Sequence, residues 1–418
     1  MNALTNKKEI NYWLVFLPLI FTLFPSPFEN SQFIAYPVIG LIIIGLVINN
    51  KHFLSYNLNS ILVFILIYMV LLSILIGINI LINMENTNAS SLVHIFKPIF
   101  FSLILLISYL LAKESNYNQI VNSLLTMAYL LLASELVISF FQVLDINILN
   151  SIYNNKKATG IGEKLRIVGT LGNPNILAWV ISQIAIIVLL FEKRKSFKIA
   201  GICLAIILII LTGSRSFTLL TPIMLIFCYL LIQKVNYKLI FFVLPMAVIF
   251  AITLFKGFIW FLYEYKEVFP YLAQITNILE SGNLRSINSY DLRIGIWQNG
   301  LERMGDSWLF GIGPGIVNTM DNDYLFALVN YGAIYLIIQI ILYLVIGLLF
   351  LLTSNLKFRV LGVQSLLITF VISFQADTIS GWTYPFLIFF YTGILIGTIE
   401  KNETIHTVEF KNKVIKQR

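Results

Sequence analysis

Three arginines are the residues of this chain best suited to chemistry, because each lies near glycine, serine or asparagine at the edge of an apolar run. They are Arg166, Arg215 and Arg293. Burying an arginine in hydrocarbon costs roughly 2.5 to 3.5 kcal/mol on the scale derived from helix insertion. The planar guanidinium suits phosphate because it donates two parallel hydrogen bonds. We therefore expect the three arginines to lie on one face of a membrane protein and to bind an anion, such as a lipid-linked phosphate.

The composition indicates the class of protein. Of the 418 residues, 58% are hydrophobic and only 11% are charged, and the mean hydropathy is +0.87. Soluble domains carry about 25% charged residues. The apolar runs are contiguous and long enough to span a bilayer, whereas the strands of an outer-membrane barrel alternate. We therefore predict an all-α polytopic membrane protein, whose net charge of +8 belongs to cytoplasmic loops rather than to a nucleic-acid site.

Apolar segments predict about twelve transmembrane helices. The segments are 12–24, 33–48, 58–82, 92–112, 119–144, 174–191, 197–213, 216–232, 238–258, 322–352, 360–376 and 382–399. Lysine and arginine concentrate in alternate loops, which places both termini in the cytoplasm. The predicted parts are helices one to nine with an external segment (1–258, including 145–173), a large external loop (259–321), helices ten to twelve (322–399) and a cytoplasmic tail (400–418).

The first motif covers residues 166–175, where Asn173 precedes a proline. This order predicts an N-cap followed by proline at the first helical position. The amino end of a helix attracts anions through its unpaired N–H groups and its dipole. Gly169 and Gly172 would let the backbone approach a ligand closely. Two interpretations stay open, an anion site or simply a well-capped helix start beside Arg166.

The second motif is the short hairpin 212–216, with the sequence Thr-Gly-Ser-Arg-Ser. Ser214 or Ser216 would cap the following helix, and Arg215 would stay at the membrane surface. Together with the first motif, this hairpin would place two helix starts around a diphosphate. The alternative is that Arg215 extends to lipid head groups. The glycine and serine neighbours favour the diphosphate.

The third motif is an amphipathic helix around Arg293. At 100° per residue its apolar face holds Leu292, Ile296, Trp297, Leu301 and Met304. The arginine falls near the middle of that face, so it needs a partner there. A structural carboxylate and a ligand phosphate are both candidates, and we favour the phosphate.

Two carboxylates follow this helix. Asp321 and Asp323 open predicted helix ten, where either could accept a proton from a sugar hydroxyl. The alternative is helix capping, by Asp321 or by Asn322. The glycines of 310–315 indicate a turn, since the lysine of a nucleotide-binding loop is missing. No histidine, cysteine and carboxylate cluster has metal spacing, so we predict no metal and no cofactor.

In this order the motifs resemble the O-antigen polymerase and ligase family, of the Wzy and WaaL type. The likeness covers about residues 160–335. It comprises Arg166 with Gly-Thr-Leu-Gly-Asn-Pro-Asn, Thr-Gly-Ser-Arg215-Ser, Arg293 with Trp297, Gly311-Ile-Gly-Pro-Gly, and Asp321-Asn-Asp-Tyr-Leu with Gly332. Ligases of this family place a histidine just before the asparagine of the last motif, where this chain has Asp321. The departure favours a polymerase over a ligase.

The resemblance implies a glycosyltransferase that joins undecaprenyl-diphosphate-linked repeat units outside the bacterial cytoplasmic membrane. Arg215 and Arg293 would bind the diphosphate, Arg166, Asn173 and Ser214 would assist, and Asp321 or Asp323 would serve as the base. The partners would be the lipid-linked donor and acceptor glycans, membrane lipid and a chain-length regulator. A lipid-linked oligosaccharide flippase is the rival, but it needs charges along its midplane. Here Glu135 is the main charge inside a predicted span.

Overall fold

A computed structural model shows a bundle of α-helices. It describes residues 10–25, 32–49, 58–87, 89–144, 146, 152–153, 158–160, 164–233, 288–317, 319–374, 376 and 381–416. A single strand pair, β1 (Ala158–Gly160) and β2 (Lys164–Arg166), runs antiparallel in the described part of the chain. Six described helices are long and apolar enough to cross a membrane by length and composition, which indicates a membrane-embedded protein.

The described residues contain twelve α-helices and one short 3₁₀ helix, Ala89–Leu92. The α-helices are α1 (Tyr12–Leu23), α2 (Gln32–Asn49), α3 (Ser60–Ile82), α4 (Val93–Glu114), α5 (Tyr117–Val143), α6 (Pro174–Phe191), α7 (Lys195–Thr212), α8 (Arg215–Ile232), α9 (Asn288–Met304), α10 (Asp323–Leu352), α11 (Leu356–Ile372) and α12 (Thr383–Lys416).

Eleven of the predicted segments coincide with these helices, and α9 is the amphipathic helix of the third motif. The predicted segment 238–258 lies outside the described residues, as does most of the predicted loop 259–321. The all-helical class is thus confirmed, while the number of membrane crossings stays a prediction.

Asparagine starts many of these apolar helices. Where the structure describes both the cap and the helix, the side-chain oxygen accepts a hydrogen bond from a backbone N–H of the first turn at six positions. These caps are Asn11, Asn59, Asn116, Asn173, Asn322 and Asn355. A hydrogen-bonded cap stabilises a helix by about 1 kcal/mol and fixes where it begins. Asparagine therefore marks where these helices begin, which their nearly continuous apolar sequence does not show.

Contacts bring the ends of many helices together at one end of the bundle. The start of α12 stacks on the end of α1 and on the starts of α2 and α6. The ring pairs are Phe21–Phe386 (3.9 Å between centroids), Tyr36–Trp382 (3.6 Å) and Trp179–Tyr384 (4.4 Å). Asp323 at the start of α10 donates its N–H to the carbonyl of Ser373, just past α11, at 2.8 Å. We call this the arginine end, because Arg166 and the start of α8 also lie there.

Two glycines let α12 pack directly on α4. A Cβ on Gly393 would overlap Ser108 and the backbone of α4, and one on Gly397 would lie 2.6 Å from the carbonyl oxygen of Tyr109. Glycines four residues apart line one face of a helix, which is a common way to bring membrane helices together. The later glycine, Gly397, also contacts later residues of α4 than Gly393 does. Helices α4 and α12 therefore run parallel.

Helix α10 is broken at Gly332, where φ is +89° and ψ is 171°. Residues 308–313 lie against the break and form backbone hydrogen bonds with both halves of the helix. Ile312 N–H donates to the carbonyl of Val329 at 2.9 Å, and Ala333 N–H donates to the carbonyl of Trp308 at 2.9 Å. Backbone groups released inside a bilayer must find partners within the protein. The predicted turn at 310–315 thus supplies the partners for the broken helix.

Candidate functional site

Arg166 lies against the turn between α7 and α8. Its Nε donates to the carbonyl of Thr212 at 2.8 Å. Next along that turn, Gly213 has φ +61°, and a Cβ there would be 3.2 Å from the same Nε. Arg215 is the first residue of α8, and its side chain lies outside the described residues. The structure therefore brings the first and second motifs together at the arginine end, as predicted.

Ser214 and Asn175 join the starts of α8 and α6. Asn173 caps α6, because its side-chain oxygen accepts from the backbone N–H of Asn175 at 2.8 Å. Ser214 occupies the N-cap position of α8 without a capping hydrogen bond from its side chain. Its hydroxyl instead donates to Oδ1 of Asn175 at 2.8 Å. The cap interpretation of Asn173 is confirmed, and Ser214 occupies the predicted N-cap position of α8, although its side chain forms no capping hydrogen bond. Contacts of either residue with a diphosphate stay predictions.

A buried pair of side chains on α5 supports the loop between Arg166 and α6. Thr170 donates its hydroxyl to Oε1 of Glu135 at 2.5 Å and its N–H to Oε2 at 3.2 Å. About two turns further along the same face of α5, the side-chain oxygen of Gln142 accepts hydrogen bonds from the N–H groups of Val168 and Gly169 at 3.1 and 3.0 Å. A Cβ on Gly169 would overlap the Glu135 carboxylate. The glycine therefore admits a protein carboxylate, although the sequence suggested a ligand.

Glu135 offers a test of this support. In Glu135→Leu the N–H of Thr170 loses its acceptor inside the bundle, which costs about 1 to 3 kcal/mol, whereas the hydroxyl of Thr170 keeps the carbonyl of Thr22 at 2.7 Å. We expect a lower unfolding midpoint in detergent, measured by tryptophan fluorescence during heating. Glu135→Gln keeps one acceptor oxygen and should lose less. An unchanged midpoint in Glu135→Leu would show that the carboxylate does not hold the loop.

Arg293 has a carboxylate partner. Its Nε lies 3.2 Å from Oδ2 of Asp321, and the two side chains are 31% and 49% exposed. Arg293, which was predicted to bind a phosphate, and Asp321, a predicted base, therefore form an ion pair. A carboxylate partner for Arg293 is the alternative that the sequence analysis did not favour. The other guanidinium nitrogens of an arginine remain capable of donating to an anion. The backbone of Asp321 has φ +50°, a conformation that aspartate tolerates better than most residues.

The start of α10 separates the two candidate carboxylates. Asn322 caps the helix, since its side chain accepts from Leu325 N–H at 3.1 Å. Asp323 follows in the first turn, where a negative charge is favourable, and only 2% of its surface is exposed. Asp321 precedes the cap and stays accessible. Of the two, Asp321 is thus the carboxylate that a substrate could reach.

The packed face of α9 differs from the predicted apolar face. Leu292, Ile296 and Leu301 are exposed in the described structure. The residues that contact the core are Trp297 and Met304, with Gly300 between them, and Trp297 donates Nε1–H to the carbonyl of Met320 at 2.6 Å. Arg293 lies four residues before Trp297, on the same stripe. The buried stripe of α9 is narrower than the predicted apolar face. At Gly300 the side chain of Met320 from the neighbouring segment fills the space that a large residue of α9 would otherwise occupy.

The chain matches no protein-family model and no curated protein. The resemblance to O-antigen polymerases and ligases therefore stays a prediction that rests on the ordered motifs. What the structure adds is their arrangement, in which Arg166 at the end of β2 contacts the turn before α8, and Arg293 on α9 pairs with Asp321 just before α10.

Sequence reasoning missed the support behind the site. Glu135 was visible only as a lone carboxylate in a span, and Gln142 gave no signal of its own. A charged side chain inside a membrane helix marks a functional or structural contact by default. That rule could have assigned Glu135 a partner in a neighbouring loop, but not which one.

Proposed function

We propose that this protein is a glycosyltransferase that polymerises lipid-diphosphate-linked oligosaccharide repeat units at the outer face of the bacterial cytoplasmic membrane. The observation that supports it best is that Arg166, the start of α8 and the Arg293–Asp321 pair lie at one end of an apolar bundle. A lipid-linked substrate presents its diphosphate at the membrane surface, which is where such cations can reach it without crossing hydrocarbon.

In this reaction a sugar hydroxyl of one lipid-linked repeat unit attacks the anomeric carbon of another glycan. The new C–O bond forms as the bond between that carbon and the diphosphate breaks, and lipid diphosphate leaves. Arg215 and Arg293 stabilise the negative charge that grows on the leaving group, with assistance from Arg166. The diphosphate is a weak base, so its departure needs no general acid.

Asp321 is the better candidate for the base that accepts the hydroxyl proton. It is exposed, whereas Asp323 is buried in the first turn of α10. Its Oδ2 accepts a hydrogen bond from Nε of Arg293 at 3.2 Å, so the candidate base lies beside an arginine that would bind the diphosphate. Binding of a diphosphate to Arg293 would then weaken this ion pair as the substrate arrives.

The proposal is tested in a strain that lacks the gene and carries either wild type or a variant. Arg215→Ala and Arg293→Ala should each shorten the glycan ladder to single repeat units. A charge-assisted hydrogen bond to a transition state is worth about 3 kcal/mol, which corresponds to roughly a hundredfold loss of rate. Membrane insertion of every variant is checked by fractionation and immunoblotting.

Two arginines serve as matched controls. Arg303→Ala changes an exposed arginine on α9, and Arg194→Ala changes an exposed one at the other end of α6. Both should keep the full ladder. Full polymer length in Arg215→Ala and Arg293→Ala would refute the proposal. Repeat units trapped on the inner leaflet of the deletion strain would indicate a flippase, and polymer that never reaches its acceptor lipid would indicate a ligase.

A further inference from the structure

A second polar site lies inside the bundle, away from Arg166 and Arg293. It is a cavity between α3, α4, α10 and α12. Its polar lining consists of Lys97, Tyr331, Tyr335, Gln339 and Tyr343. Its apolar lining includes Leu72 and Ile76 of α3, Phe101 of α4 and Phe389 of α12. The cavity thus combines hydrogen-bond donors with walls suited to a hydrocarbon chain.

Lys97 supplies the positive charge. Its side chain is only 8% exposed, and its Nζ lies 4.9 Å from the ring centroid of Trp382. Ionisable residues within membrane helices are costly and commonly mark a binding or transport path. The ammonium makes a cation–π contact with the indole ring, and an ammonium group has three N–H donors. A buried lysine on the wall of a cavity is therefore suited to an anionic group.

The tyrosines add uncharged donors at fixed positions. The hydroxyl of Tyr331 and Nδ1 of His94 are 2.7 Å apart, and the ring of Tyr335 lies 4.6 Å from that of Tyr331. Tyr331 is the residue before the break in α10, so irregular backbone lies beside this polar wall. Broken helices in membrane proteins occur where backbone is buried in protein or lines a cavity. The break thus fits a ligand site rather than a simple packing contact.

Part of the cavity lining lies near the arginine end. Lys97 is the fifth residue of α4, which places it about 6 Å along the axis from the helix start. Trp382 precedes α12, which also starts at this end. A phosphate group at the membrane surface could therefore reach Lys97 while its chain lies between α3 and α10.

The geometry points to binding of a phosphate group in this cavity, with Lys97 as the cationic contact and Gln339 and the tyrosines as further donors. The chemistry fits the phosphate of a membrane lipid and also free phosphate. The inference does not depend on the proposed glycosyl transfer, because it uses none of the residues assigned to that reaction.

The test uses the full-length protein in neutral-lipid nanodiscs and measures the melting temperature with increasing probe. The probes are undecaprenyl phosphate, phosphatidylglycerol and inorganic phosphate. Binding raises the melting temperature of the protein in proportion to the occupied fraction. The Arg215→Ala, Arg293→Ala double variant serves as the background, so that binding at the arginines does not contribute.

In that background we expect Lys97→Met to weaken binding at least about tenfold, the loss expected for one charge-assisted contact. Lys97→Arg should retain binding within a few fold. The matched control is Lys113→Met, which alters a lysine at the other end of α4 that contacts Tyr109. Binding of a lipid probe alone supports a lipid phosphate, and binding of inorganic phosphate as well supports a site for the free anion.

Unchanged affinity in Lys97→Met, or no binding of any probe to the background protein, would overturn the assignment. If Lys97→Met is not recovered folded, Gln339→Leu decides the question, because it removes a donor on α10 and keeps the side-chain size. We expect a several-fold loss of affinity in Gln339→Leu. An affinity equal to that of the background protein would contradict the proposed cavity site.

Discussion

Replacing Gly332 by alanine is expected to destabilise the protein by more than about 3 kcal/mol, since two costs add at this residue. Its φ of +89° with ψ of 171° is a backbone conformation that is nearly restricted to glycine. A Cβ would also overlap the carbonyl of Leu309 and lie 2.5 Å from the carbonyl carbon of Phe310. Both neighbours are backbone atoms, which cannot turn aside as a side chain can.

The measurement is the melting temperature in detergent, followed by size-exclusion chromatography of heated samples. Gly347→Ala is the control on the same helix, because a Cβ there would meet only Leu366 Cδ1 at 3.5 Å, an ordinary contact. It should leave the melting temperature within about 2 °C of wild type, since an unstrained glycine-to-alanine change in a helix is neutral or stabilising. Equal melting temperatures for the two variants would contradict the break at Gly332.

Gly393→Leu is expected to separate α4 from α12 and to reduce the yield of folded protein severely. The new side chain would meet Ser108, the carbonyl of Leu105 and the N–H of Tyr109. Overpacking alone costs about 1 to 3 kcal/mol, and a clash with backbone at a helix crossing exceeds that. Folded yield and melting temperature are read from size-exclusion chromatography of detergent extracts.

Gly45→Leu is the matched control for this crossing. Gly45 lies on α2, and a Cβ built there has no heavy atom within 4 Å. Leucine is a better helix former than glycine by nearly 1 kcal/mol, so this variant should fold at least as well as wild type. A normal yield of Gly393→Leu would mean that the two helices approach less closely than the structure shows.

The helices could be predicted because hydropathy alone defines long apolar runs, and asparagine marked the starts of two of them, at Asn173 and Asn322. Asn173 followed by proline is the clearest case, since both residues favour the first turn of a helix for independent reasons. Ser214 also takes its expected N-cap position, but its side chain forms no capping hydrogen bond and its hydroxyl donates to Asn175 of the neighbouring helix. That contact depends on tertiary packing, which no local pattern encodes.

The site could be predicted only in part. Arginines near helix starts indicated where charge gathers, and Arg166 does lie against the Thr212 turn. For Arg293 the sequence left open a carboxylate or a phosphate partner, and only the fold shows that the carboxylate is that of Asp321. Gly332 gave no warning of a broken helix, because apolar residues continue on both sides of it. The segment that pairs with the break, 308–313, could be predicted only as a turn, because its sequence does not indicate a contact with α10.

The parallel packing of α4 and α12 constrains the order in which the protein can assemble. One helix belongs to the first third of the chain and the other is the final described helix. Helices enter the membrane as they are synthesised, so α4 must wait for nearly the whole chain before its neighbour arrives. Until then the face around Ser108 and Tyr109 contacts lipid or other helices. The bundle therefore closes late, and a chain truncated before Thr383 would expose that face to cellular proteases and chaperones.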